Sequence, residues 1–125
     1  MTRLHIREVA ARAETTAYTL RYYESIGLLR PKRAPNGHRV YDEDDVRRVV
    51  FWRRLHETGM PIRTMRAYAK LLAKGDSTVA ERKQILLDHR EAVRAKIDVL
   101  RRNLRTIDAK IEHYDEIVGL GRTRA

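Results

Sequence analysis

The stretch TTAYTLRYYESIGLL, residues 15–29, determines how the rest of the chain is interpreted. It opens on hydroxyl residues that suit a helix N-cap, because their oxygen accepts a hydrogen bond from an otherwise unpaired backbone N–H. One face is apolar at about one-turn spacing, with Leu20, Tyr23 and Ile26. The opposite face carries Tyr18, Arg21 and Tyr22. Gly27 stands where a left-handed residue commonly ends a helix. The pattern predicts a short helix with a face suited to reading a nucleic-acid groove.

The preceding segment, IREVAARA at residues 6–13, predicts another short helix of about two turns. Its apolar face consists of Ile6, Val9, Ala10 and Ala13. Glu14 and Thr15 form the turn, and Thr16 caps the second helix. Two short helices joined by a tight turn are typical of a helix-turn-helix, in which the second helix reads DNA. These two helices alone fit an αα-hairpin without a DNA role equally well.

A basic hairpin is predicted next, in RPKRAPNGHRVY at residues 30–41. Asn36-Gly37 is a strong turn signal because both residues tolerate positive φ. The two prolines limit ladder pairing, so the ribbon should be small and exposed. Its tip region carries Lys32, Arg33, His38 and Arg39, while Val40 and Tyr41 are placed to pack inward. A basic hairpin after a helix-turn-helix is typical of a wing that contacts the phosphate backbone; an ordinary solvated hairpin is the alternative.

Two further helices should complete the N-terminal half. Asp42 is placed to cap the third helix, and the acidic residues 43–45 suit its first turn. Its broad apolar surface, which we interpret as core, comprises Val46, Val49, Val50, Phe51, Trp52 and Leu55. Gly59 ends it, and Pro61 suits the first turn of a fourth helix that runs to Gly75. Arg63 and Arg66 near its start fit either phosphate contacts or solvated helix charges.

A long helix is predicted from about Thr78 to Val118. One apolar series recurs every seven residues, at Leu86, Val93, Leu100, Ile107 and Tyr114, and a second series interleaves with it. Together they indicate a coiled-coil seam formed by Val93, Ile97, Leu100, Leu104, Ile107, Ile111, Tyr114 and Val118. Lys83 and Arg90 fall on the same seam, so the coil should begin near Val93. We expect a second copy of the helix to bury this seam, giving a homodimer; packing on an unrelated partner is the competing interpretation.

The predicted organisation has three parts: a DNA-binding domain with its second helical pair at residues 1–75, a dimerisation helix at 76–118 and a short basic tail, expected to be disordered, at 119–125. At about 1.5 Å per residue, the helix measures roughly 60 Å.

The charge distribution favours a polyanionic partner. The formal net charge is +10, and residues 1–75 carry 16 Lys and Arg against 8 Asp and Glu, while residues 76–125 carry 11 against 9. This surplus favours nucleic acid over an anionic membrane. The absence of cysteine excludes disulfides and thiolate metal sites. With no apolar run long enough to span a bilayer and no signal-peptide core, we expect a cytoplasmic protein.

Together these segments resemble the MerR family of bacterial transcription regulators. The resemblance is carried by IREVAARAETTAYTLRYYESIGLLRP at residues 6–31, by NGHRVYDEDDVRRVVFWRRLHETGMPI at residues 36–62 and by the long C-terminal helix. It implies a mainly α fold: a winged helix-turn-helix with a small β-hairpin wing, a second helical pair and an antiparallel dimeric coiled coil. The antiparallel direction comes from the resemblance only.

The resemblance also implies a set of DNA-contacting residues. On the recognition helix these are Thr16, Ala17, Tyr18 and Arg21, with Tyr22 assigned to the phosphate backbone and Tyr23 partly to packing. Arg21 is the strongest candidate because its planar guanidinium suits guanine or phosphate oxygens. On the wing they are Lys32, Arg33, His38, Arg39 and Tyr41, where Arg39 is the main candidate and Tyr41 fits the core better.

Members of this family are expected to act as promoter switches. The resemblance implies a homodimer on a pseudo-palindromic operator in an overlong promoter spacer. The activated dimer would bend and untwist this DNA, so that RNA polymerase engages both promoter elements. RNA polymerase would therefore be an indirect partner, acting through the promoter. Deformation of this kind costs several kcal/mol, which contacts to both half-sites offset. A small-molecule effector would favour the dimer geometry that fits distorted DNA.

Several residues depart from the family pattern. Glu14 stands where a turn glycine is frequent, Arg12 replaces a commonly apolar residue, and His38 replaces a frequent aromatic. Thiol sensing is excluded, since no cysteine lies near the coil end and Arg54 takes the place of the cysteine of aldehyde-responsive relatives. Because only about seven residues follow the coil, we expect the separate drug-binding domain of some relatives to be absent. Any small effector is expected at the interface between domain and coil, unless the protein works without one.

The sequence gives little support to three alternative functions. A histidine metal site lacks support because no close ligand spacing joins His5, His38, His56, His89 and His113. An enzyme lacks support because the chain has no glycine-rich phosphate loop, nucleophile motif or carboxylate pair. We therefore expect no catalytic residue, no bound metal and no cofactor. A coiled-coil scaffold for another protein remains an alternative that the basic wing argues against.

Overall fold

The computed structural model describes residues 3–119 and is mainly helical. Its elements are, in order, α1 (Ile6–Arg12), α2 (Ala17–Ser25), β1 (Lys32–Arg33), β2 (Arg39–Val40), α3 (Glu43–Glu57), α4 (Ile62–Lys74) and α5 (Val79–Val118). A 3-10 turn at Asp76–Thr78 precedes α5. None of the helices in this part of the chain is long and apolar enough to cross a membrane. The fold contains two compact units, Met1–Leu86 and Leu87–Ala125.

The predicted N-caps of α2 and α3 are confirmed. Thr16 Oγ1 accepts a hydrogen bond of 3.1 Å from the backbone N–H of Thr19. At α3, Asp42 and Asp45 form a reciprocal capping box, in which each carboxylate accepts from the other residue's N–H at 3.0 Å. Burial raises the pKa of the Asp45 carboxyl, because desolvation disfavours its charged form. Both helices therefore begin where the sequence places them.

The turn between α1 and α2 contains a residue in the left-handed backbone conformation that is not glycine. Glu14 has φ of +57°, a conformation that costs a residue with a Cβ about 1–2 kcal/mol. Arg53 of α3 supports the turn, since its Nη1 donates to the carbonyl of Ala13 at 2.5 Å and lies 3.9 Å from Glu14 Oε2. Contacts from α3 thus hold the turn in the geometry that glycine would otherwise favour.

The wing is an antiparallel hairpin in which Lys32 pairs with Val40 and Arg33 pairs with Arg39. Its turn differs in detail from the prediction, because Gly37 has φ of +85° while Asn36 does not take positive φ. Gly37 N–H donates to the Ala34 carbonyl at 2.8 Å, and Ala34 N–H donates to the His38 carbonyl at 2.9 Å. Pro35 therefore takes the second position of the turn, where its fixed φ is favourable.

A single hydrophobic core fills the N-terminal unit. Trp52, Tyr41, Leu20, Leu29, Met60, Met65, Val9 and Val49 are its largest fully buried side chains. Trp52 packs against Tyr68 edge-to-face at 5.7 Å, and Phe51 lies 5.6 Å from both rings. Trp52 Nε1 also donates to the Leu28 carbonyl at 3.0 Å, which attaches the segment after α2 to α3. Phe51 and Trp52 are therefore packing residues, as predicted.

The compact N-terminal unit includes the first turns of α5. Ile85 and Leu86, in the first turns of α5, pack against the core. Thr78 Oγ1 donates to the Leu71 carbonyl at 2.6 Å, which ties the 3-10 turn to α4. The start of the long helix thus belongs to the N-terminal unit, and the segment between the helices is an ordered 3-10 turn.

In the second unit, α5 is continuous to Val118 and exposes an apolar stripe. The exposed positions include Ile97, Leu100, Leu104, Ile107, Ile111, Tyr114 and Val118, while Val93 is half-buried. Of the predicted tail, Gly119 is described and residues 120–125 lie outside the described residues.

Candidate nucleic-acid interface

The exposed face of α2 carries the residues predicted to read DNA. Tyr18 is 78% exposed and Tyr22 is 44% exposed, which is high for aromatic side chains. Thr16 and Arg21 are exposed, and Ala17 is half-buried. Since Leu20 on the opposite face is fully buried, the amphipathic pattern predicted for this helix is correct.

Two tyrosines in the predicted contact set, for which packing was also expected, are buried. Tyr23 is 3% exposed and Tyr41 is 1% exposed. Burial raises the pKa of both phenols, because the phenolate form loses hydration. The Tyr41 hydroxyl is buried without a hydrogen-bond partner among the described residues. The neighbouring backbone bonds explain the position of Tyr41, whose N–H and carbonyl pair with Leu4 at 3.1 and 2.8 Å. Both residues belong to the core.

The recognition helix and the wing share a concave basic surface. A depression of about 250 Å³ is lined by Arg21 of α2 together with Arg33, His38 and Arg39 of the wing. His5, which precedes α1, lies on the same surface although the sequence reasoning did not select it. The structure therefore brings together four of the residues predicted to contact DNA, from two separate elements. Convergent cations and donors of this kind suit phosphate oxygens.

Lys32 lies on the wing but outside this depression. It is exposed and, with Arg33, lines a separate cavity of about 170 Å³ near Arg3. Lys32 and the buried Tyr41 are therefore the two predicted wing residues that do not line the surface shared with α2.

A carboxylate connects the two elements. Glu24 of α2 accepts a hydrogen bond from Arg39 Nε at 2.6 Å, and its other oxygen lies 3.6 Å from Arg33 Nη2. Arg33 also donates to the Gly37 carbonyl at 3.0 Å, inside the wing. Sequence reasoning missed Glu24 because its partners lie on another element; in the structure its side chain is half-buried. Glu24 orients the wing cations toward the recognition helix.

Other chemistry finds little support in this part of the chain. Within residues 3–119, no group of three His, Asp or Glu side chains is placed to hold a metal ion.

Arg12, which stands where the family commonly has an apolar residue, is exposed and forms an ion pair with Glu43 through two hydrogen bonds of 2.7 and 2.5 Å. This pair raises the pKa of Arg12 and lowers that of Glu43, and it joins α1 to α3.

A helix-turn-helix with an exposed Tyr and Arg face beside a basic wing defines a DNA-binding protein of the winged helix-turn-helix class. Family comparisons identify its group. Residues 4–72 match the family described as MerR HTH family regulatory protein, and residues 46–111 match the family described as MerR, DNA binding. The chain belongs to the MerR family of DNA-binding transcription regulators and is not an enzyme.

Similar proteins in bacteria are regulators. The transcriptional regulator AdhR of Bacillus subtilis is 42% identical over 89 residues. The matched part covers 70% of this chain and 64% of AdhR. The uncharacterized HTH-type regulator YyaN of the same organism is 34% identical over 90% of this chain and 81% of its own length.

Solved structures show the same fold. A MerR family regulator from Listeria monocytogenes is 33% identical and superposes with a TM-score of 0.85, covering 90% of this chain and 86% of its own. HiNmlR, a MerR family regulator lacking the sensor domain, was solved bound to promoter DNA. It is 26% identical, with a TM-score of 0.85 and 96% coverage of both chains.

Glu24 gives a first prediction. Glu24→Gln removes a negative charge and releases Arg33 and Arg39. We expect the salt dependence of binding to non-operator duplex to steepen by about one unit of log K per log salt, because one more cation neutralises phosphate. The ratio of operator to non-operator affinity should fall, since the wing is less well oriented. Fluorescence anisotropy over a salt series measures both quantities. Glu81→Gln, which removes an exposed carboxylate at the start of α5, is the control; equal behaviour of the two variants would contradict the role of Glu24.

Proposed function

We propose that this regulator binds a pseudo-palindromic promoter operator as a homodimer and bends and untwists it to control access of RNA polymerase. Each N-terminal unit would contact one half-site. The first half of α2 would lie in the major groove, with the wing on the adjacent phosphates. The proposed contact set is Thr16, Ala17, Tyr18, Arg21, Tyr22, Lys32, Arg33, His38 and Arg39.

One observation carries this proposal. Arg21 on the helix and the wing residues Arg33, His38 and Arg39 line a single depression beside the exposed Tyr18 and Tyr22. Planar guanidinium groups can bind guanine or phosphate oxygens through two hydrogen bonds. Tyrosine hydroxyls also donate to phosphate oxygens. This combination supports a helix that reads the groove together with a wing that holds the backbone.

The apolar stripe of α5 supports the homodimer. Leu100 is 66% exposed and Ile107 is 55% exposed in the single chain, and similar residues continue along the helix. A continuous apolar stripe of this kind is unusual on a protein that works alone. Spacings of three and four residues suit packing against an identical helix. A dimer would supply two DNA-binding units for the two halves of a pseudo-palindrome.

Control of transcription would follow from DNA deformation. Bending a site of 20–30 base pairs costs on the order of 1–6 kcal/mol, which contacts at two half-sites can offset. An effector that favours the dimer geometry fitting distorted DNA would then alter promoter use. We place this activity in the cytoplasm, where bacterial promoters and RNA polymerase are found.

Salt dependence tests the proposal. Affinity for an operator, selected from random duplexes or taken from the neighbouring promoter, should fall by roughly 10³ between about 50 and 200 mM salt, as six or so phosphate contacts require. Isothermal or anisotropy titrations at several salt concentrations measure the slope. Salt-independent association with a protein, together with no duplex binding in dilute buffer, would instead favour a scaffold.

A further inference from the structure

A second basic groove lies at the other end of the recognition helix. It has a volume of about 550 Å³ and lies wholly within the N-terminal unit, between the C-terminal end of α2, α3 and α4. Its apolar lining that a ligand could contact comes mainly from Ile26, Ala69, Leu72 and Ala73, which are at least partly exposed, while Trp52 is buried at the groove. Its cationic lining comes from three segments and comprises Arg30, Arg48, Arg66 and Lys70. The volume lies within the range of about 300–1,000 Å³ that small-molecule sites occupy.

The cations of this groove are poorly neutralised by the protein. Within residues 3–119, no carboxylate lies within 4.0 Å of Arg30, Arg66 or Lys70, and Arg48 has one, Asp45, only at the 4.0 Å limit. Glu24 also lines the groove, but its carboxylate is bound by Arg39 and Arg33 of the wing. Four like charges around one groove repel each other, and an anion placed between them would relieve this repulsion.

The apolar lining distinguishes the groove from a simple phosphate contact. DNA phosphates need cations and donors but gain nothing from apolar side chains such as those of Ile26 and Leu72. The groove also lies beside Glu24–Leu28, whereas helix-turn-helix proteins contact bases mainly through the start of the recognition helix. We propose that it binds a small organic anion with an apolar or aromatic body and a carboxylate, sulfonate or phosphate group.

Such a ligand would act as an effector within the DNA-binding unit, whereas the sequence led us to expect an effector between domain and coil. The groove is bordered by Ile26, Gly27 and Leu28, the residues that follow the recognition helix. A ligand that binds more tightly when this segment is in one of two positions would shift α2 toward that position. Because DNA binding depends on the position of α2, ligand binding and DNA binding would be coupled. This regulatory step rests on the proposed function, whereas ligand binding does not.

The test uses the full-length protein and the aromatic sulfonate 8-anilinonaphthalene-1-sulfonate as probe. Trp52 is the single tryptophan of the chain and is buried at the groove, so energy transfer from it detects the bound probe, and the charge variants below locate the site. We expect the probe to quench Trp52 with energy transfer to its own emission. Arg66→Glu should lower probe affinity by about tenfold or more, because it replaces an attracting charge with a repelling one. Arg63→Glu, the same change one turn earlier on α4 and outside the groove lining, should lower it clearly less than Arg66→Glu, because its charge lies farther from the bound anion.

The outcomes separate the alternatives. Equal loss in Arg66→Glu and Arg63→Glu, or no quenching of Trp52, overturns the proposal. If circular dichroism shows that Arg66→Glu fails to fold, Lys70→Glu takes its place with the same expectation. Probe affinity that saturates at a new value as duplex is added supports an effector site. Probe affinity that keeps falling in proportion to duplex concentration shows direct competition and assigns the groove to DNA. A chain that binds the probe but no duplex would refute the proposed function and leave this site intact.

Discussion

Replacing both Leu100 and Ile107 with aspartate should convert the dimer to a monomer. Burying a leucine or isoleucine contributes about 1.5–3 kcal/mol, and the change removes four such side chains from the dimer. It also places carboxylates in an apolar seam, where unpaired charges are strongly unfavourable. The dimer dissociation constant should rise by at least about four orders of magnitude. Sedimentation velocity at micromolar concentration gives the oligomeric state directly.

A matched control adds the same charges away from the seam. Thr106 and Ala109 lie on α5 outside both apolar series, so Thr106→Asp with Ala109→Asp should leave the dimer intact. Operator affinity should fall only in the seam variant, and its salt slope should be roughly halved, because one unit then contributes all the phosphate contacts. A seam variant that still sediments as a dimer would show that α5 does not form the interface.

Arg21→Ala should weaken operator binding by about 10²-fold or more, since each bidentate arginine contact contributes about 1–3 kcal/mol and a dimer has two copies. Arg21 is exposed, so circular dichroism and the dimer should be unchanged. Anisotropy with operator and non-operator duplexes separates the two roles of this residue. Selective loss on the operator indicates a base contact, and equal loss on both indicates a phosphate contact.

Arg47→Ala provides the comparison for Arg21. Arg47 is an exposed arginine of α3 that pairs with Asp44 and lies outside the proposed interface. Its removal should change operator affinity by less than about threefold, the effect of a screened surface charge. Full operator affinity in Arg21→Ala would remove α2 from the interface.

Features with local causes could be predicted from sequence. Thr16 and Asp42 mark helix starts through capping bonds that form within three residues. Gly27 and Gly75 take positive φ at the ends of α2 and α4, as glycine at these positions indicates. The apolar periodicity likewise identified the buried face of α2 and the exposed stripe of α5. Each of these signals depends on neighbours in the sequence, so it can be read directly.

Contacts between distant segments could not be predicted in this way. The bond between Glu24 and Arg39 joins a helix to a strand, and the pair of Arg12 with Glu43 joins α1 to α3. Sequence spacing gives no information about such distances. Tyr41 illustrates the same limit: the sequence favoured the core for this residue, but its bridge to Leu4, which is distant in the chain, could not be predicted.

Two adjacent residues of α3 hold the helix-turn-helix at both ends. Arg53 binds the carbonyl of Ala13 before α2, and Trp52 binds the carbonyl of Leu28 after it. A graft of residues 6–41 onto another protein would leave both of these anchors behind. The smallest segment that can be transferred to another protein with its DNA-binding specificity therefore includes α3. Chimaeras that exchange this specificity should be joined downstream of that helix.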